Sequence, residues 1–192
     1  MNASNRPHRF PSARSFLAAA LLCALPCAAQ PAGGAQASAA EEERRTRLFK
    51  EGKAAADAGQ WVEAAEKFRK VVGIRSAPKA LIALGVAEEH LGHLVAALAA
   101  YKQAREEAAD KALADELKTA NAALDSIKPR VPRLSFSPAE AAESAQIEVD
   151  GVPVKLAAGA LQVDPGEHAI AATSAGKGTF RTTATVKEGE AF

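Results

Sequence analysis

The amino-acid sequence predicts an α+β chain: two helical hairpins and a capping helix, followed by a small antiparallel β-sandwich. Three observations predict it. Residues 41–128 are dominated by Ala, Glu, Lys and Leu, with Pro78 as their single proline, which is a helix-forming composition. Within that stretch, glycines, a small residue and an aromatic recur at a fixed interval. After Arg130, alternating Val and Thr patterns with Asp, Pro and Gly turns take over.

Composition narrows the function classes. The 192 residues carry 24 Lys and Arg against 23 Asp and Glu, a formal net charge of +1. No large basic excess is present to hold nucleic acid, and no acidic excess to act as a solvating tail. Alanine accounts for 48 residues and aromatics for only 5%. A core this poor in large side chains must be built by close approach of small-faced helices. A polytopic membrane protein, a disulfide scaffold and a disordered polyampholyte are all excluded by these values.

The chain opens with a targeting pattern. Arg6, Arg9 and Arg14 precede an apolar run from Phe16 to Leu25, and no acid occurs before Glu41. Small residues follow at Cys27-Ala28-Ala29 and again at Ala35-Gln36-Ala37. This is the order of a secretory signal peptide, expected at 1–29 with cleavage after Ala29 or Ala37. The run is far shorter than the roughly 20 residues of a membrane span, so none is expected after cleavage. Residues 30–40 are expected to be a flexible linker. Cys23 and Cys27 both lie in the leader, and neither follows the small residues a lipidated cysteine requires. The mature chain is left without thiol chemistry. Periplasmic, outer-envelope or secreted localisation is expected.

The helical part is expected to contain helices at 41–57, 60–74, 77–91, 93–108 and 110–128. Gly52 recurs as Gly85, Gly59 as Gly92, Ala64 as Ala97 and Phe68 as Tyr101. The first glycine of each set allows a neighbouring helix to approach closely, and the second ends the helix where positive φ is free. Ala64 then Phe68 place a small hole beside a large knob, one turn apart. Ser76 before Pro78 forms a candidate N-cap and first-turn pair. Leu113, Leu117, Leu124 and Ile127 give the fifth helix one apolar face, and Lys111, Asp115, Glu116, Lys118 and Asp125 the other, as suits a terminal cap.

These spacings resemble the tetratricopeptide repeat (TPR) over about 70 residues. Trp61, Leu84 and Ala104 also fit its pattern, whereas Val71 stands where a later Ala is usual. The resemblance implies a groove lined by the first helix of each repeat. Its groove-facing positions here are Phe49, Lys50, Lys53 and Asp57, then Ile82, Val86, Glu89 and His90. That mixture of apolar and charged groups suits an extended or helical peptide segment laid across apolar anchors.

Lys128-Pro129-Arg130-Val131-Pro132 stops the last helix and stiffens the crossing. Charge moves from 16 basic and 15 acidic residues in 41–130 to 5 basic and 8 acidic in 131–192. Short strands are expected at 134–136, 147–149, 152–154, 161–163, 168–173 and 180–186. Asp150-Gly151 is a two-residue turn of type I′, and Pro153 confines its strand to an edge. Asp164-Pro165-Gly166-Glu167 is a turn with Pro where φ is pre-set and Gly where φ is positive. A further closing strand is expected around Glu188-Gly189-Glu190. Val149-Asp150-Gly151 and Asp164 to His168 resemble the PEGA module, a small β-sandwich of surface and envelope proteins, over 145–186. The combination is similar to a class of exported bacterial repeat proteins.

Chemistry-bearing motifs are nearly absent. His8 leaves with the leader. His90 and His93 stand near Glu88 and Glu89, but Gly92 interrupts their helix and no third ligand follows, so no metal site is expected. His168 opens a strand after a turn and reads as structural. Gly176-Lys177-Gly178-Thr179 fails as a phosphate loop because Ala171 stands at the earlier glycine position and Gly178 follows the lysine. Arg44, Arg45 and Arg47 are neutralised by Glu41, Glu42 and Glu43. No catalytic constellation or cofactor site is found, and a non-enzymatic scaffold that binds a protein or peptide partner is expected. The alternative is attachment to cell-wall glycan through the β module, which carries Phe136, Phe180 and Phe192 but no Trp or Tyr for sugar stacking.

Overall fold

The structure is a computed structural model that describes residues 33–137, 145–157, 159–174 and 178–192, with side chains from Ser38 onward. The expected leader at 1–29 and the residues Gly176 and Lys177 lie outside the described residues. Gly34–Phe192 form one compact unit. The order is α1 (Gly33–Asp57), α2 (Trp61–Ile74), α3 (Pro78–His90), α4 (Leu94–Asp110) and α5 (Ala114–Ile127), then β1 (Arg133–Ser135), β2 (Gln146–Val149), β3 (Val152–Val154), β4 (Ala160–Gln162), β5 (Gly166–Thr173) and β6 (Thr179–Val186). The α+β class holds.

Two helices depart from their expected bounds by more than two residues: α5 starts at Ala114 and not at 110, because α4 runs through Asp110 and Ala112 turns the chain at φ +52°, and α1 begins early. Helix α1 starts at Gly33, inside the stretch read as linker. Ala35, Ala37, Ala39 and Ala40 are strong helix formers with no breaker before Glu41, so small residues here extend the helix. At its far end Gly59 has φ +73°, and Gly92 after α3 has φ +79°. Both end their helices in the left-handed region that glycine enters freely.

The 33-residue recurrence has a steric basis. A Cβ added at Gly52 would lie 2.8 Å from Phe68 Cε1, and one at Gly85 would lie 2.7 Å from Tyr101 Cδ1. The ring of α2 thus rests on bare backbone of α1, and the ring of α4 on α3. Ala64 and Ala97 are fully buried beside them. Leu94, Leu98, Tyr101, Leu124, Ile127 and Val131 form the next core cluster, which joins α4, α5 and the crossing. Helix α3 starts with Pro78 at its first turn, as expected, but Ser76 does not cap it. Ala77 occupies the N-cap position, and the Ser76 hydroxyl donates instead to Glu107 and accepts from Gln103 at 3.2 Å. Leu113 stands at the N-cap position of α5, about one-third exposed, before the helix whose apolar face it was expected to join.

The β part holds two antiparallel sheets, β1–β4 and β3–β2–β5–β6. Leu134 of β1 and Val163 after β4 share one buried cluster with Ile147, Val149, Ile170, Ala184 and Val186 of the larger sheet. Asp150 and Gly151 both have positive φ, 54° and 76°, as the two-residue turn requires. Pro153 lies on the edge strand β3, where its missing N–H costs nothing. The residues after β6 return to β1. Phe192 N–H donates to the Arg133 carbonyl, and the Arg133 and Ser135 amides donate to Glu190 and Phe192 carbonyls. That segment occupies the place where a closing strand is expected.

The crossing is packed. Val131 and Pro132 are buried, and the Gly189 amide donates to the Arg130 carbonyl. Across the same boundary, Asp164 Oδ1 accepts the Val95 N–H at 2.8 Å. Val95 is in the first turn of α4, so a carboxylate from the turn before β5 satisfies an orphan helix amide.

Candidate functional site

An apolar groove of about 540 Å³ is lined by α1, α3 and α5. Helix α1 contributes Phe49, Lys53, Ala56 and Asp57, at spacings that put them on one helical stripe. Helix α3 contributes Lys79, Ile82, Ala83 and Val86, and α5 contributes Asp115, Glu116 and Thr119. Trp61 and Phe68 of α2 also line it. A second recess of about 360 Å³ shares Phe49, Lys79 and Glu116 with it and extends the groove toward Arg45 and Leu113. Phe49 and Phe68 meet with ring centroids 5.6 Å apart at 57°, an attractive tilted pair.

Charge is arranged around this apolar floor. Lys53 and Asp57 stand on the α1 wall, Asp115 and Glu116 on the α5 wall, and Lys79 Nζ lies 3.3 Å from Glu116 Oε1. An isolated apolar channel would accept any greasy segment. A channel rimmed by both signs adds orientation and register.

Five of the eight predicted groove residues meet here: Phe49, Lys53, Asp57, Ile82 and Val86. Lys50 is exposed beside the groove and does not line it, being one residue out of phase with the stripe of Phe49 and Lys53. His90 leaves the lining to stack face to face on Trp61, with ring centroids 3.7 Å apart and planes within 5°. Glu89 turns to the other side. Its carboxylate accepts from Tyr101 Oη at 3.0 Å and pairs with Arg130, which also makes a two-pronged contact with Glu188 at 2.9 and 3.3 Å. Burial of the phenol, with the Glu89 carboxylate beside it, pushes the Tyr101 pKa well above the usual tyrosine range. The hydrogen bonds to Glu188 and Glu89 raise that of Arg130 further. This chain ties α3, α4, the crossing and the turn after β6 together.

The two adjacent glutamates have separate roles. Glu88 is 3% exposed and is held by Arg69 Nη2 at 2.6 Å and His93 Nδ1 at 2.9 Å. His90 and His93 therefore serve different partners. Among the described residues, no group of three His, Cys, Asp or Glu side chains is placed to hold a metal ion. No helix among them is long and apolar enough to cross a membrane.

His168 is buried between two acceptors, Asp150 Oδ2 and the Asp164 carbonyl, each at 2.7 Å. A carbonyl only accepts, so Nε2 carries a proton, and the Asp150 carboxylate favours a second proton on Nδ1. Burial alone would lower the His168 pKa, but these hydrogen bonds outweigh it and the value is raised. The same bond, with the Ala169 amide, holds Asp150 below the usual carboxylate range.

The α5 wall, Trp61 and Lys79 were not among the predicted groove residues. Lys79 could have been found by extending the Ile82 and Val86 stripe one turn back. The α5 residues could not, because they enter only through the packing of a helix that carries no glycine of the repeat. Comparison with protein families, curated proteins and solved structures gives no match to this chain.

Proposed function

We propose that this chain is an exported, non-enzymatic interaction scaffold of the bacterial cell envelope. In this reading its helices are a short TPR-like solenoid of two hairpins capped by α5. Its two sheets are a PEGA-like β-sandwich, and the groove holds a segment of a protein partner. The observation that carries it is the groove itself. An apolar floor of Phe49, Ile82, Ala83 and Val86 is left open among α1, α3 and α5, while equivalent glycine–aromatic contacts at Gly52–Phe68 and Gly85–Tyr101 pack α1 on α2 and α3 on α4. A segment with two or three apolar anchors, laid along the stripe and steered by Lys53 and the α5 acids, fits that surface.

The test is the double substitution Phe49→Ala with Lys53→Glu. It removes an anchor and reverses a rim charge; Lys53 takes part in no ion pair among the described residues, and the fold is checked beside binding because Phe49 also packs on Phe68. The expected outcome is loss of the co-purifying partner with an unchanged circular dichroism spectrum. Undiminished co-purification would remove the groove assignment.

A further inference from the structure

The sheet edges of this protein are not treated alike. Strand β3, at one edge of the larger sheet, is three residues long and contains Pro153. Strand β1 has its free side taken by Glu190 to Phe192. Strand β4 is three residues long, and Ala157 turns back onto Ala160. Short length, proline and covering segments are the means by which proteins guard sheet edges. Strand β6 has none of them. It is the edge of the larger sheet and runs for 8 residues, Thr-Phe-Arg-Thr-Thr-Ala-Thr-Val, with no Pro, Gly or acid and one charge, Arg181.

The ladder identifies which backbone groups are unspent. Asp150 N–H donates to the Ala169 carbonyl at 2.8 Å, so Ala169 and, by alternation, Ala171 face β2. His168, Ile170 and Ala172 then bond to β6, where they are paired with Ala184, Thr182 and Phe180. Arg181, Thr183 and Thr185 consequently direct their N–H and C=O groups away from the sheet. Among the described residues no backbone group meets them. The Thr183 carbonyl has only a long 3.4 Å contact from the Thr182 hydroxyl.

These three residues are centred on Thr183, and that symmetry fits a particular occupant. We propose that β6 pairs antiparallel with β6 of a second copy of this chain, about a two-fold axis at Thr183, joining the two four-stranded sheets into one. In this register Thr183 faces Thr183, and Arg181 faces Thr185 in both directions, so every outward amide and carbonyl of the three finds a partner. No like charges are opposed, because Arg181 meets a threonine and Lys187 meets Thr179. On the other face Phe180, 65% exposed in the single chain, lies across from Val186 of the second copy; Val186 is already buried in its own chain, so the gain there is the covering of Phe180. The contact is isologous, so it closes at two copies. A single pair of strands covers less than the roughly 1,200 Å² of a standard interface, so association is weak and needs a wide concentration range to be seen.

The test is sedimentation equilibrium of the purified protein from about 1 to 500 μM, with amide hydrogen exchange measured at both extremes. The expected result is a monomer–dimer equilibrium, with the amides of Arg181, Thr183 and Thr185 protected only at high concentration. Thr183→Pro removes an outward N–H while leaving the β5 ladder intact, and it should weaken association at least tenfold at unchanged melting temperature. Thr183→Lys keeps the N–H, opposes two like charges across the axis, and should weaken association in the same direction, so it stands in if the proline variant does not fold. Val152→Lys on the guarded edge should change nothing. The proposal is overturned by a monomer at every concentration. It is equally overturned by a dimer in which those three amides stay exposed, or by protection that arises only when an extended segment of another protein is added.

Discussion

Replacing Gly85 by alanine tests the packing on which the helical part depends. In an open helix the change is favourable by up to about 1 kcal/mol, because alanine is the better helix former. At Gly85 the new Cβ would sit 2.7 Å from Tyr101 Cδ1 and 2.9 Å from Cζ. Tyr101 is 1% exposed and its hydroxyl is held by Glu89, so the ring has nowhere to retreat without giving up that bond. Overpacking of this kind costs about 1–3 kcal/mol, and a lost hydrogen bond adds about 1 kcal/mol. After the propensity gain is subtracted, a net loss of about 1–3 kcal/mol is expected, a fall of roughly 2–12 °C in melting temperature for a body this size. Gly73 in α2 supplies the control. A Cβ there meets nothing within 4 Å, so Gly73→Ala should hold or raise the melting temperature. Calorimetry on the two variants decides the matter. If Gly85→Ala stabilises the protein as Gly73→Ala does, the close ring-on-backbone contact is refuted, and with it the steric account of the repeat.

Asp164→Ala should destabilise the protein by about 1 kcal/mol, the usual cost of a lost helix cap, and should speed exchange of the Val95 amide. A urea titration and amide exchange measure the two effects. His168 has a folded pKa above its ordinary 6.5. Its contribution is therefore complete below that value and fades as pH rises through the raised one. Asp150 is lowered from 3.8, so its contribution is present above that value and fades as pH falls through the lowered one. Urea midpoints should decline as pH is raised from about 6 to 9, and His168→Gln should flatten that decline.

Much of the helical part was legible because its signal is steric and local. A glycine that must admit a ring cannot be replaced without cost, so Gly52–Phe68 and Gly85–Tyr101 leave a period in the chain. The turns at Asp150-Gly151 and Gly166 were legible for a similar reason, since positive φ restricts the choice of residue. What was not legible depends on distant partners. Asp164 lies 69 positions from the amide it caps, and no local pattern marks it. Glu89 matched the groove stripe by phase, yet Arg130 draws it away. Glu88, a charged residue beside another, gave no sign that Arg69 and His93 would bury it. Ala35 to Ala40 show the reverse limit: small residues suit both a cleavage region and a helix, and composition alone does not separate them.

The junction between helices and sheets is pinned by side chains from both parts. Val131 and Pro132 lie inside, Asp164 accepts from the Val95 amide of α4, and Arg130 pairs with Glu89 on the helical side and Glu188 on the sheet side. Denaturation should register as a single cooperative melt. The two halves are joined at three separate points and not through a single linking peptide.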